Sequence, residues 1–314
     1  MKKLSLITLT IMLLACGTKQ NSKEKRLLET KAEPVPMRQI VFGGNRYVVD
    51  ADFGLEKTVP MMVHGNASFY MMLTHDVAEQ LNNGEPITKI DDYGYSEQGR
   101  GRINVAEFSV GGHVFNGIEN IPVFDWPEEE GKAAQGMLGV DWLQKEKVKI
   151  DFVNEQLEIG VAKSDEPDSN LLENGYKYTR FEISDSEVFM QVYFDALQKE
   201  IPITIGTVAS DYSLDVVTFK NALALEATNT RDHSPDNTTP DVYKNTAAIA
   251  YSIAGVNFEI PAQRAKFSDF AEYGNTTHDA LPSFGIFGRD WMVRNQAIID
   301  YANLILYFKA GEKE

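Results

Sequence analysis

A stretch that occurs twice sets the terms for this chain. Residues 136–159, GMLGVDWLQKEKVKIDFVNEQLEI, return at residues 285–308 as GIFGRDWMVRNQAIIDYANLILYF. Both copies run glycine, two apolar residues, glycine, one variable residue, Asp-Trp, a helix-compatible stretch, then Ile-Asp-aromatic-X-Asn and an apolar strand. Gly136, Gly139, Asp141, Trp142, Ile150, Asp151, Asn154 and Leu157 are matched by Gly285, Gly288, Asp290, Trp291, Ile299, Asp300, Asn303 and Leu306. A repeat at a spacing near half the chain implies two similar domains and not a solenoid. The 314 residues and 43% apolar content suit two cores of about 150 residues each.

Upstream of the first domain the chain reads as an export signal. Lys2 and Lys3 precede an apolar run over residues 4–15, too short to span a bilayer but right for a secretory leader. Leu13-Leu14-Ala15-Cys16 resembles the bacterial lipoprotein processing box, in which the cysteine is acylated and becomes the mature N-terminus. Cys16 is the single cysteine, which fits an anchor and excludes an intrachain disulfide. Residues 17–36 are polar and end in Pro34 and Pro36, the composition of a flexible tether. The expectation is a lipid-anchored protein of the cell envelope whose membrane partner is reached through Cys16. Gly17 in place of an acidic residue favours the outer membrane if the source is Gram-negative. The formal net charge of -16 argues against nucleic acid and against electrostatic docking on anionic lipid.

From Arg38 onward the pattern is strand-like. Residues 39–42, 46–50 and 59–63 are short apolar or alternating runs broken by glycine and asparagine, as in antiparallel hairpins. Residues 74–81 read as a short helix with Thr74 as N-cap. Residues 103–110 and 114–123 form a hairpin-like pair. Residues 165–175 are acidic and aperiodic, as expected of a linker. The order then returns: strands over 181–183, 188–194 and 201–205, a helix over 216–225, a polar loop over 228–241, and a hairpin over 247–253 and 256–260. The domains expected are 1–15 (signal peptide), 16–37 (anchor and tether), 38–163 (first repeat), 164–175 (linker) and 176–314 (second repeat).

This order, with the paired Met137-Leu138-Gly139 and Ile286-Phe287-Gly288, resembles the aspartic peptidases of the retropepsin and pepsin type. It is similar above all to the bacterial two-repeat secreted forms. The resemblance covers residues 38–310. It implies a mainly β fold of two homologous aspartic-peptidase-like β-barrel domains, a pseudo-dimer with short helices. It also implies one Asp-Thr/Ser-Gly per repeat at the end of an apolar strand. Two such carboxylates held close cannot both ionise, so one keeps a proton while the other activates water.

The corresponding stretches are residues 59–68 (VPMMVHGNAS) and 201–210 (IPITIGTVAS). The apolar strand, the proline and the trailing Ala-Ser match in both, as does Tyr70 with Tyr212 beyond them. The triplets are degenerate: His64, Gly65 and Asn66 in one, Gly206, Thr207 and Val208 in the other. Neither repeat keeps its aspartate, so neither a split pKa nor a positioned carboxylate base is available. Sliding the register to recruit Asp211 breaks the strand alternation. Val208 disfavours a glycine-type turn.

The remaining polar candidates are weighed in the same way. His64 reads either as a lone base or metal ligand or as a polar residue left in a former active-site cleft. His75, His113, His233 and His278 show no metal-ligand spacing, so no metal and no cofactor is expected. Trp142 and Trp291 read as core. Asp141 and Asp290 read as helix caps, and Asp151 and Asp300 as the starts of the last strands. A flap-like segment over 91–102 carries Tyr93 and Tyr95, suited to cover an extended peptide or to form an exposed hairpin tip. Together with His64, Gly65, Asn66, Ser68, Thr207 and Ser210 these tyrosines make up the candidate cleft.

Three functions follow. One is a non-catalytic peptidase-like lipoprotein, a pseudoenzyme whose cleft binds a peptide or protein partner. A second is an active endopeptidase with a non-standard site. The third is an envelope structural or interaction protein with a closed cleft.

Overall fold

The computed structural model describes residues 33–41, 45–82, 84, 87, 101–124, 134–184, 187–209, 211–231, 241–270 and 284–310. The first repeat runs β1 (Val35–Pro36), β2 (Arg38–Val41), β3 (Asn45–Asp52), β4 (Val59–Val63), β5 (Met71–Thr74), α1 (His75–Leu81), β6 (Arg102–Val110), β7 (His113–Phe124), β8 (Gly136–Leu138), α2 (Val140–Lys145), β9 (Lys149–Asp151) and β10 (Gln156–Glu158). After α3 (Ser169–Glu173) and β11 (Lys177–Arg180), the second runs β12 (Glu182–Ser184), β13 (Glu187–Phe194), β14 (Lys199–Ile205), β15 (Tyr212–Asp215), α4 (Val216–Phe219), β16 (Leu225–Arg231), β17 (Asp241–Asn245), β18 (Ile249–Ile253), β19 (Val256–Ile260), β20 (Lys266–Ser268), β21 (Gly285–Phe287), α5 (Arg289–Arg294), β22 (Ile298–Asp300) and β23 (Ile305–Phe308).

The two repeats share one topology. In the first, β4 pairs parallel with β8, β8 antiparallel with β5, and β5 parallel with β7. In the second, β14, β21, β15 and β20 pair in the same senses. Pairing of β3 with β6 at Ala51↔Val110 closes the first sheet into a barrel. The second lobe divides the work of β6 between β17 and β18, the latter meeting β13. A third sheet, β1-β10-β9-β22-β23-β11, draws strands from both repeats, with Ile150 of β9 opposite Ile299 of β22. The mainly β, two-lobed architecture with short helices is therefore as expected.

The repeated motif explains its own residues. Trp142 and Trp291 are fully buried on the inner faces of α2 and α5. Trp142 meets Phe115 edge-on at 5.7 Å, and Trp291 donates to the Tyr251 hydroxyl at 2.8 Å. Truncating either indole to alanine costs about 3–5 kcal/mol by the usual cost of core aromatics. Gly139 and Gly288 are the helix N-caps, and each lies so close to a carbonyl of the preceding turn (Phe69, Ala209) that no Cβ fits.

Several expectations are corrected. Asp141 and Asp290 do not cap their helices; both sit in the first turn, and Asp290 instead takes the Arg289 guanidinium. Asp151 and Asp300 end β9 and β22 and do not begin the last strands. The Asp151 carboxylate accepts from Val153 N, Asn154 N and Asn154 Nδ2, and Asp300 accepts from Asn303 N and Nδ2, so each holds a hairpin turn together.

The helix expected over 216–225 stops at Phe219. Asp215 caps it through Thr218 N at 2.8 Å, but Val216, Val217 and Thr218 are β-branched and lose χ1 freedom in a helix. Leu225 already belongs to β16, which also takes residues 228–231 from the stretch expected to be loop. The linker carries α3, capped by Asp168 through Asn170 N.

Candidate functional site

The strands β4 and β14 deliver their C-terminal turns to one another. His64 N donates to Leu138 O and Gly206 N donates to Phe287 O, both at 2.9 Å. Since Leu138 and Phe287 hold the same place in the repeat, His64 and Gly206 are structural equivalents, as the sequence alignment has them.

Beyond this point the alignment needs correction. Gly139 N donates to Tyr70 O while Gly288 N donates to Asp211 O. Met71 and Tyr212 pair with Leu138 and Phe287. Tyr70 is therefore equivalent to Asp211, not to Tyr212, because the turn of the first repeat is one residue longer. An insertion of one residue flips which side chain faces inward. Tyr212 is accordingly buried, its hydroxyl 3.2 Å from that of Tyr251.

A single hydroxyl ties the two turns together. Thr207 Oγ1 accepts from Gly65 N at 2.7 Å and donates to Val63 O at 2.8 Å, both buried. Gly65, the equivalent of Thr207, has no hydroxyl to reciprocate. Its space is taken by Tyr301, whose hydroxyl donates to Gly65 O at 2.7 Å and stands where a Cβ on Gly65 would be. Burial pushes the Tyr301 phenol well above its ordinary range, so it stays a neutral donor.

Sequence reasoning missed Tyr301. The available signal was the aromatic after Ile-Asp, which is Phe152 in one repeat and tyrosine in the other.

His64 is the titratable group at the paired turns. Its ring meets Phe69 at 5.9 Å, edge to face. Its Nδ1 and the neighbouring Asn66 Oδ1 are buried without a hydrogen-bond partner. Burial first, and then the positive charge of Arg46, pulls the imidazole down to about 4, so it is neutral at physiological pH. A base of this kind needs an orienting acceptor on its second nitrogen to act as in the hydrolase triads. Nδ1 has none. Gly206 offers nothing to pair with it, and a Cβ there would stand 2.6 Å from Ile286 Cγ2.

Val208 does not strain its turn, since it is absent from the residues at positive φ. Its side chain packs instead with Phe69 against the first lobe's cluster of Val48, Met62, Met72, Ala134 and Met137. Ser68 is exposed and Thr207 buried. Tyr93, Tyr95 and Ser210 lie outside the described residues, as does Cys16.

Among the described residues no three His, Cys, Asp or Glu side chains converge in a way that could hold a metal ion. No described helix is long and apolar enough to cross a membrane. An open groove of about 610 Å³ between α4 and the β16–β17 hairpin, lined by Val216, Lys220, Leu223, Leu225, Tyr243 and Asp269 among others, includes none of the turn residues just described.

No protein-family model and no curated protein sequence matches the chain. Among solved structures it is similar to the aspartic proteinase from Irpex lacteus, with a TM-score of 0.48, 13% identity and coverage of 89% of this chain and 97% of that one. It is also similar to conglutin gamma, a basic 7S globulin from lupine seeds, at a TM-score of 0.46 and 10% identity, covering 89% and 95%. A retropepsin-like aspartic protease from Rickettsia conorii matches at a TM-score of 0.28 and 13% identity, over 44% of this chain and 94% of that one.

Proposed function

We propose that this protein is a non-catalytic member of the aspartic-peptidase architecture that binds a peptide or protein segment between its lobes. One observation carries the reading: the two equivalent turns that face each other across the lobe interface present His64 and Gly206, a neutral imidazole and no side chain. Without two carboxylates sharing a proton there is neither an acid nor a base for attack of water on an amide. His64 Nδ1 and Asn66 Oδ1 remain as buried polar atoms without partners, and a bound backbone amide is a group that would satisfy them.

The test is cleavage of a mixed peptide library by residues 26–314 from acid to neutral pH. Beside it runs a variant with His64→Asp, Gly206→Asp and Ile286→Ala, the last making room for the new Cβ. The expected result is silence from the native protein together with retention of library peptides. Cleavage by the native protein that a pepstatin-type mimic blocks would overturn the reading.

A second reading, a closed cleft, is favoured by one feature. Val208 of the second lobe is already packed into the first lobe's apolar cluster. Failure of the native protein to retain any peptide, with Val208→Gly restoring retention, would select it. The lipid anchor at Cys16 belongs to the same proposal, and Cys16→Ser releasing the protein from the membrane fraction of its host is the check.

A further inference from the structure

Methionine is placed unevenly between the two lobes. Met62 of β4 stands opposite Met137 of β8, and Met137 stands opposite Met72 of β5. Residues paired in register point to the same face of a sheet, so three thioethers form one row across three adjacent strands. Neighbouring strands lie about 5 Å apart, and the flexible methionine stem lets all three sulfurs reach a point over the middle strand. The row is buried, with Met62, Met137 and Met72 only 1%, 2% and 5% exposed. His64 N continues the β4–β8 ladder by donating to Leu138 O, so the imidazole, two residues on from Met62, points to the same face. Phe69, which packs on the methionine cluster, also meets the His64 ring. His64 Nδ1 is buried there without a hydrogen-bond partner.

The second lobe shows that the fold does not require this set. Thr204 pairs with Ile286 as Met62 does with Met137, and Ser213 pairs with Ile286 as Met72 does with Met137. Gly206 holds the place of His64. Four soft or borderline donors in one lobe are thus threonine, isoleucine, serine and glycine in the other. Buried methionines alone can be core filling. An imidazole nitrogen left unpartnered beside them is not explained by apolar packing, since a buried polar atom without a partner costs about 1–3 kcal/mol.

We propose that this face of the first lobe is a copper(I) site, with the thioethers of Met62, Met137 and Met72 and the Nδ1 lone pair of His64 as ligands. Thioethers are soft donors that select copper(I), and imidazole suits copper as well. All four groups are neutral, so nothing in the set compensates the ion's charge, which favours a monovalent ion over zinc or copper(II) in a buried site. Burial already keeps the imidazole neutral at physiological pH, so no proton has to be displaced. A site made of thioethers has no acidic or thiolate ligands to betray it, which is why the His, Cys, Asp and Glu side chains show no metal cluster. The inference stands apart from the peptide reading: a bound ion would take the lone pair of Nδ1, and the test is made with the metal alone.

The experiment uses the full chain carrying Cys16→Ser, which removes the single thiol of the sequence as a competing ligand. Copper(I) is titrated anaerobically against the chromophoric chelator bicinchoninate, and silver(I), an air-stable ion of the same class, is followed through the ε-methyl resonances of the methionines. Met62→Leu, Met137→Leu and Met72→Leu each remove one sulfur while keeping the core filled, a swap that cores tolerate well. His64→Asn removes the imidazole. Met61→Leu and Met71→Leu are the controls, because these two methionines lie on the same strands but belong to the main core on the other face.

Loss of even an outer-shell partner weakens metal sites about 10–100-fold, so each of the four ligand variants is expected to weaken saturable one-to-one binding by at least about tenfold. In the native sequence at the methionines, silver(I) should move the ε-methyls of Met62, Met72 and Met137 and leave those of Met61 and Met71 in place, a readout that does not depend on any variant folding. No copper(I) taken from the chelator, ε-methyls of the row that do not move, or binding weakened as much by Met61→Leu and Met71→Leu as by the ligand variants, would each overturn the proposal.

Discussion

At the scale of the residue, His64 couples the stability of the fold to pH. In the unfolded chain its imidazole titrates near the ordinary 6.5, whereas in the fold it is pulled down to about 4, chiefly by burial. The unfolded state therefore binds a proton that the native state refuses. The contribution of His64 is complete above the unfolded value, is lost as pH falls from 6.5 towards 4, and levels off below that. The whole shift corresponds to about 3 kcal/mol, and partial exposure of the ring makes this an upper bound. His64→Asn removes the titration while keeping a polar side chain. The urea-derived stability difference between pH 7 and pH 4 is expected to be smaller in the variant, with the carboxylates common to both proteins cancelling. Equal differences in the two proteins would show that His64 is protonated in the fold and available as a cation.

At the scale of the element, the junction is a pair of strand-to-turn segments locked by Thr207 and Tyr301. Thr207→Val keeps the shape but strands Gly65 N and Val63 O, both buried, and is expected to cost about 2–4 kcal/mol. Thr207→Ser keeps the oxygen and costs about 1 kcal/mol or less. Gly65→Ala forces a Cβ against the Tyr301 hydroxyl and to within 2.6 Å of Thr207 Cγ2. Tyr301→Phe frees part of that space, so the double variant is expected to be less destabilised than the two single costs predict. Additivity within about 0.5 kcal/mol in denaturant unfolding would mean that the two residues are uncoupled. Much of this scale was legible in the sequence, because apolar-apolar-Gly, Asp-Trp and Ile-Asp-aromatic recur and each turned out to hold the same place in both lobes. What was not legible turned on single atoms or single insertions. The extra residue before Tyr70 changed its equivalent from Tyr212 to Asp211. The reach of the Tyr301 hydroxyl across the lobes left no periodic trace. Asp141 and Asp290 looked like caps because capping preferences are local, yet the backbone of Gly139 and Gly288 already occupied that position against the preceding turn.

At the scale of the whole molecule, the two lobes are joined as a dimer would be, through a ladder that is almost its own mirror. Along β9 and β22, Lys149 faces Asp300, Ile150 faces Ile299 and Asp151 faces Ile298. Two copies of the first repeat meeting through β9 would set Ile150 opposite Ile150 and Lys149 opposite Asp151, a self-complementary edge of the kind that closes twofold dimers. Residues 33–163, which retain β1 as the outer partner of β10, are therefore expected to dimerise in sedimentation equilibrium. Ile150→Lys should leave them monomeric, since it sets like charges face to face in the ladder. The half-chain dimer would lack Thr207 and Tyr301, and its turns would meet as two copies of Gly65. Gly65→Thr should then have opposite signs in the two settings. In the full chain it collides with Tyr301 and destabilises. In the half-chain it supplies both missing hydroxyls without the Tyr301 hydroxyl in the way; at about 1 kcal/mol for each of the four buried hydrogen bonds restored, association should tighten by up to about a thousandfold, less the cost of moving the two facing threonine methyls apart. A half-chain that stays monomeric, or one whose association is indifferent to Gly65→Thr, would mean that the β9–β22 ladder and the hydroxyl tie are consequences of lobe contact and not its cause.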